Sequence, residues 1–81
     1  MEKIHVLLVE DELTLAMIIK DTLEEQEFII TTASDGEEGL RTFFAQKPDI
    51  VVADVMMPRM DGFEMVRRIR QTDKLTPVLF L

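Results

Sequence analysis

Three acids in this 81-residue chain stand where chemistry could be done: Glu10, Asp11 and Asp54. They stand at the ends of two apolar runs. Ile4 to Val9 reads IHVLLV and is followed by Glu10 and Asp11; Ile50 to Ala53 reads IVVA and is followed by Asp54. A carboxylate at the carboxyl end of a buried strand lies where ligands bind in open α/β sheets. Neighbouring parallel strands lie about 5 Å apart, so acids ending two adjacent strands would share one crevice. Two unit charges ~5 Å apart at an effective dielectric of ~20 repel by roughly 3 kcal/mol. Either one acid stays protonated or a cation neutralises the group. Carboxylates with carbonyl and water oxygens suit a hard divalent ion, and Mg²⁺ binds through one or two carboxylates while keeping waters. Such a site leaves a position open to a phosphoryl oxygen. The plainer alternative is that these acids are solvated loop residues and helix caps.

The elements that must position them follow from the apolar pattern. Ile50, Val51, Val52 and Ala53 have no polar break, and three of them are β-branched. A strand apolar on both faces belongs in the middle of a parallel sheet covered by helices, with Asp54 at its end. Pro58 cannot extend that strand, and Asp61-Gly62 signals a turn into a helix. The first strand, Ile4 to Val9, contains His5, expected to be packed or at a sheet edge. Leu13 to Glu25 reads as a helix with a stripe of Leu15, Ile19 and Leu23, joined by Ile18 and Thr22. Met17 is expected to pack. Glu24, Glu25 and Glu27 oppose the helix dipole, so this end should be frayed or solvated.

Phe28 to Ala33 reads as a second, edge strand. Ser34 or Asp35 is placed to cap the next helix, which runs to about Gln46 with Leu40, Phe43 and Phe44 as its buried face. A third helix runs from Gly62 to about Thr72 on Phe63, Val66 and Ile69, with Arg67, Arg68 and Arg70 on a solvated face. Pro77 opens a fourth strand, Val78 to Leu81. The order β-α-β-α-β-α-β with short connections implies a parallel sheet with right-handed crossovers.

Composition narrows the function classes. Nine Lys and Arg against sixteen Asp and Glu give a net charge of −7, which disfavours nonspecific nucleic-acid binding by these residues. There is no Cys, so neither a disulfide nor a thiolate metal site is available. The first apolar run stops at Val9 and has no small-residue cleavage site, so it reads as neither signal peptide nor membrane span. The chain contains no GxxxxGK[ST] loop and no GxGxxG after its first strand. A Ser–His or Cys–His nucleophile is implausible with the single His inside a strand. A small metal-dependent phosphatase is disfavoured because no general acid accompanies Asp54 and Met56, not Asp, stands two residues on.

These residues together resemble the receiver domain of two-component response regulators, the CheY-like family. The likeness rests on Glu10-Asp11 after the first strand, on Asp54 ending the third, and on the loop DVMMPRMDG from Asp54 to Gly62. The resemblance implies a flavodoxin-like three-layer αβα sandwich with sheet order 2-1-3-4, the fifth strand being absent. It implies that Asp54 accepts a phosphoryl group from a sensor histidine kinase, that Asp11 binds Mg²⁺ directly, and that Glu10 acts through a water. Asp54 would also touch the ion, Met56 would lend its backbone carbonyl, and Pro58 and Gly62 would shape the loop. A cytoplasmic regulator, not an enzyme, is implied, with an output domain outside these residues, acting in transcription.

The departures set further expectations. Residues 1–81 read as the N-terminal portion of a receiver, because the family's switch Ser or Thr and its Lys would follow Leu81. The fourth strand would then be an exposed edge open to pairing with a second copy. A degenerate receiver that acts by binding or oligomerisation without phosphate is the competing function.

Overall fold

The computed structural model describes residues 2–81. It contains β1 (His5–Val9), α1 (Leu13–Glu25), β2 (Ile29–Ala33), α2 (Gly36–Gln46), β3 (Ile50–Ala53), α3 (Gly62–Ile69) and β4 (Val78–Phe80). The four strands form one sheet in the order β2-β1-β3-β4, and every pairing is parallel. This is the doubly wound α/β arrangement and strand order expected.

Side-chain alternation along the strands divides the core in two. Val6, Leu8, Ile30 and Val52 face α1, which contributes Ala16, with Ile19 and Leu23 packed alongside. Leu7, Val9, Ala33, Val51 and Ala53 face α2 and α3, which contribute Phe43, Met65 and Ile69. Leu7 and Leu8 are fully buried on opposite faces. Each such side chain contributes about 1.5–3 kcal/mol by leaving water, which is why the central strands carry so few polar residues.

Several helix faces differ from the expected ones. In α1 the inward residues are Ala16, Ile19 and Leu23, while Leu15 and Ile18 are exposed. The small Ala16 allows the helix to lie close to the sheet, and that turns the larger neighbours outward. Thr22 does not join the stripe; its hydroxyl donates to the Ile18 carbonyl at 2.8 Å. Met17, expected to pack, is exposed. Phe44 is also exposed, its ring meeting Phe43 edge to face at 5.2 Å from the rim of the core.

In α3 the buried pair is Met65 and Ile69, one turn apart, and Phe63 is exposed beside Phe80. That helix ends at Ile69, short of Thr72, because Asp73 organises the turn that follows. Its carboxylate accepts from the amides of Leu75 and Thr76 at 2.9 Å each and from the Thr76 hydroxyl at 2.7 Å. The acidic end of α1 is solvated but not frayed: it is helical to Glu25, and Lys20 pairs with Glu24 at 3.1 Å. β1, β2 and β4 each fall one residue short of the predicted runs, leaving Ile4, Phe28 and Leu81 just outside, while β3 ends at Ala53 with Asp54 immediately after it. His5 is half-buried and its Nε2 lies 2.8 Å from the Thr31 hydroxyl, a packing role. Among the described residues, no helix is long and apolar enough to cross a membrane.

Candidate phosphoryl and metal site at the carboxyl end of the sheet

β1 lies between β2 and β3, and the register pairs Val9 with both Ala33 and Ala53. The ladder continues one residue past each strand. The Glu10 amide donates to the Ala33 carbonyl and the Asp54 amide to the Val9 carbonyl, both at 3.0 Å. The backbones of the two acids are therefore fixed by the sheet itself. Oxygen atoms of Glu10, Asp11 and Asp54 lie within 4.8 Å of one another. Glu10 is buried, Asp54 half-buried and Asp11 exposed, so the cluster is rooted in the protein and opens to solvent.

The electrostatics are those of like charges held together. Burial pushes the Glu10 carboxyl above its ordinary value, and the nearby Asp54 and Asp11 push it further up. The Glu12 amide works against this, donating to Glu10 Oε2 at 2.9 Å. Among the described residues, no Lys, Arg or His forms an ion pair with any of the three acids. Three convergent carboxylates without a cationic partner form a donor set of the hard-oxygen type that a divalent ion prefers.

The alternative role of helix cap falls to other residues. Glu12 caps α1, accepting from the amides of Thr14 and Leu15 at 3.2 and 2.7 Å. Asp35 caps α2 and Asp61 caps α3, each accepting an amide at 2.8 Å. Glu10, Asp11 and Asp54 are thus free of capping duty.

The loop after Asp54 is closed on itself. The Met56 amide lies 3.3 Å from Asp54 Oδ1, and the Met56 side chain is 78% exposed, so its identity is unconstrained by packing. The Gly62 amide donates to the Val55 carbonyl at 2.9 Å. A Cβ at Gly62 would overlap the Asp54 carbonyl and stand 3.1 Å from the Phe80 ring. Pro58 is exposed and its carbonyl accepts the Met60 amide at 2.7 Å. Met60 turns inward and is buried in the core beneath α2.

Two contributors lay outside the sequence reading. Arg59 reaches Asp35, with Nη1 3.6 Å from Oδ2. Gly36 is buried so closely beneath the loop that a Cβ there would overlap the Met60 carbonyl. The Ser34-Asp35-Gly36 turn signal identified a cap, but nothing in the spacing showed that this turn abuts the loop following Asp54.

Comparison with known proteins agrees with the geometry. The family model described as the response regulator receiver domain matches residues 6–81. The alkaline phosphatase synthesis transcriptional regulatory protein PhoP of Bacillus subtilis is 40% identical over 76 residues, covering 94% of this chain and 32% of its own length. The transcriptional regulatory protein TrcR of Mycobacterium tuberculosis is 42% identical over 78 residues, covering 96% of this chain and 30% of its own. The chain thus spans about a third of the length of these relatives. Among solved structures, the chemotaxis response regulator CheY4 of Vibrio cholerae superposes with a TM-score of 0.94 at 33% identity, covering 98% of this chain and 68% of that one. The response regulator TrrA of Thermotoga maritima, solved in complex with Mg(2+)-BeF, gives 0.84 at 37% identity over 88% of this chain and 62% of that one. With the matched family spanning β1 to β4 and the same sheet order in hand, the chain belongs to the response regulator receiver domain family.

Proposed function

We propose that these residues form the phosphoacceptor region of a two-component regulator and that Asp54 is the residue modified. The observation carrying this reading is the convergence of three carboxylates within 4.8 Å, with Asp54 open to solvent on one side. An Asp54 carboxylate oxygen attacks the phosphorus of a phosphohistidine on a sensor histidine kinase. The phosphorus–nitrogen bond breaks, its electron pair stays on the imidazole nitrogen, and an acyl phosphate forms on Asp54.

The donor set fits Mg²⁺. Asp11 and Asp54 would hold the ion directly, Met56 through its backbone carbonyl and Glu10 through a water. Bound there, the ion supplies charge neutralisation for the phosphoryl oxygens. The protein's own contribution is positioning: the sheet ladder fixes the acids, while Pro58 and Gly62 hold the loop that brings Asp54 to the surface. The Mg(2+)-BeF complex of the Thermotoga maritima relative supports this choice of ion. Each chain takes one phosphoryl group in a regulatory, not a turnover, role. The added charge of about −1.5 to −2 biases the domain. The transcriptional names of the relatives support a role in gene control, which in this reading is exercised in the cytoplasm through an output domain. The net charge of −7 argues that DNA contact falls to that other region.

The test uses the full-length protein with Mg²⁺ and acetyl phosphate. The expected result is a mass gain of one phosphoryl group, lost in Asp54→Asn. No gain by the unaltered protein would overturn the reading in favour of an interaction module that works without phosphate.

A further inference from the structure

Arg59 occupies an uncomfortable position. Its φ is 67°, in the left-handed region that favours glycine. The Met60 amide bonds back to the Pro58 carbonyl at 2.7 Å, so Arg59 is the central residue of a three-residue turn. A γ-turn of this hand is rare and strained. A glycine would sit there without strain; the arginine instead brings a charged side chain to the loop. It ends 3.6 Å from Asp35 Oδ2. Asp35 is only 8% exposed and is itself immobilised: its other oxygen accepts the Glu38 amide at 2.8 Å, capping α2. The next residue, Gly36, lies directly under the Met60 carbonyl. The loop is therefore gripped at two consecutive positions by the start of α2, through charge at Arg59 and through close backbone contact at Met60.

We propose that Arg59 is a positioning residue: held by Asp35, it fixes the strained Pro58–Met60 turn and thereby sets the course of the loop that follows Asp54. The proposal builds on the phosphoacceptor reading, because that loop carries the carbonyl assigned to the metal. Asp35 becomes a joint between the site and α2, so displacement of the loop is felt at that helix's first turn.

Two substitutions separate positioning from stability. Arg59→Gly relieves the backbone strain while deleting the guanidinium. Asp35→Asn keeps an oxygen for the cap while deleting the charge. In the full-length protein, each is expected to leave the melting temperature within a few degrees of the parent and to speed hydrogen exchange at the Met60 and Gly62 amides about tenfold. Each should raise the Mg²⁺ concentration for half-saturation about threefold, and the double variant should do no more than either single one. A merely structural role would lower the melting temperature and leave Mg²⁺ half-saturation unmoved. Parental exchange rates in both variants, or additive effects in the double variant, overturn the proposal. Should the parent take no phosphoryl group at all, the function above falls, and the exchange rates alone still decide whether Arg59 holds the turn.

Discussion

Glu64 and Glu10 show how differently one small domain treats its carboxylates. Glu64, in the first turn of α3, accepts from Arg67 Nη2 at 2.6 Å and from Arg68 Nε at 2.7 Å. Those hydrogen bonds, Arg67's the stronger, hold its carboxyl down at about 2. Glu10, at the end of β1, is pushed the other way by burial and then by its two acidic neighbours. The chain has nine Lys and Arg and sends none of them, among the described residues, to the cluster at the sheet end. The fold resolves charge on its helix face and leaves it unresolved at the carboxyl end of the sheet, where the proposed ion would bind.

The largest expected effect that would sharpen this contrast comes from Asp11→Asn. Mg²⁺ affinity should fall on the order of 100-fold, at least the loss seen when a supporting outer group is removed. In chelator, by contrast, the variant should be more stable than the parent by about 1 kcal/mol, because one like charge has gone. Titration calorimetry and denaturant unfolding check the two halves. A variant less stable than the parent in chelator would break the comparison.

Gly36→Ala comes next. It drives a methyl group into the Met60 carbonyl, and unfolding should be easier by about 2 kcal/mol. A neutral result in a denaturant titration would show that the loop is free to lift from α2.

The smallest effect is expected at Glu64. Its folded carboxyl lies at about 2, below the ordinary 4.5. The stabilisation from a depressed carboxyl is present above the unfolded value and is lost as pH falls through the folded one. Melting of the parent should therefore decline between about pH 4.5 and 2, and Glu64→Gln should flatten that decline. At pH 7 the loss should be within about 2 °C, since exposed pairs contribute little.

The strands and the acids were legible because their signal is short-range. IVVA followed by Asp, and HVLLV followed by Glu-Asp, state both the strand and its end, and the parallel order follows from alternation with helices. The helix faces were less legible. Leu15 and Ile18 fit a 3.6-residue period as well as Ala16 and Ile19 do, and hydrophobicity favours the larger side chains. The sheet chose the smaller one, which permits closer approach. Phe44 and Met17 went astray for a related reason: size announces the wish to be buried but not the direction of the Cα–Cβ bond. The Arg59–Asp35 contact was illegible, since it joins residues 24 positions apart through a turn whose backbone no local residue preference requires.

The three bonds that run past the strand ends have one more consequence. Glu10, Asp54 and Leu81 each donate to the preceding rung of the neighbouring strand, so the spacing between the acids is a count of residues, not a matter of side-chain reach. Exchanging one branched aliphatic for another in β1 or β3 leaves that count intact. Inserting or deleting a single residue there turns the terminal carboxylate to the opposite face. Strand length in this domain therefore constrains the site more tightly than strand composition does: the aliphatic runs of β1 and β3 serve as its ruler.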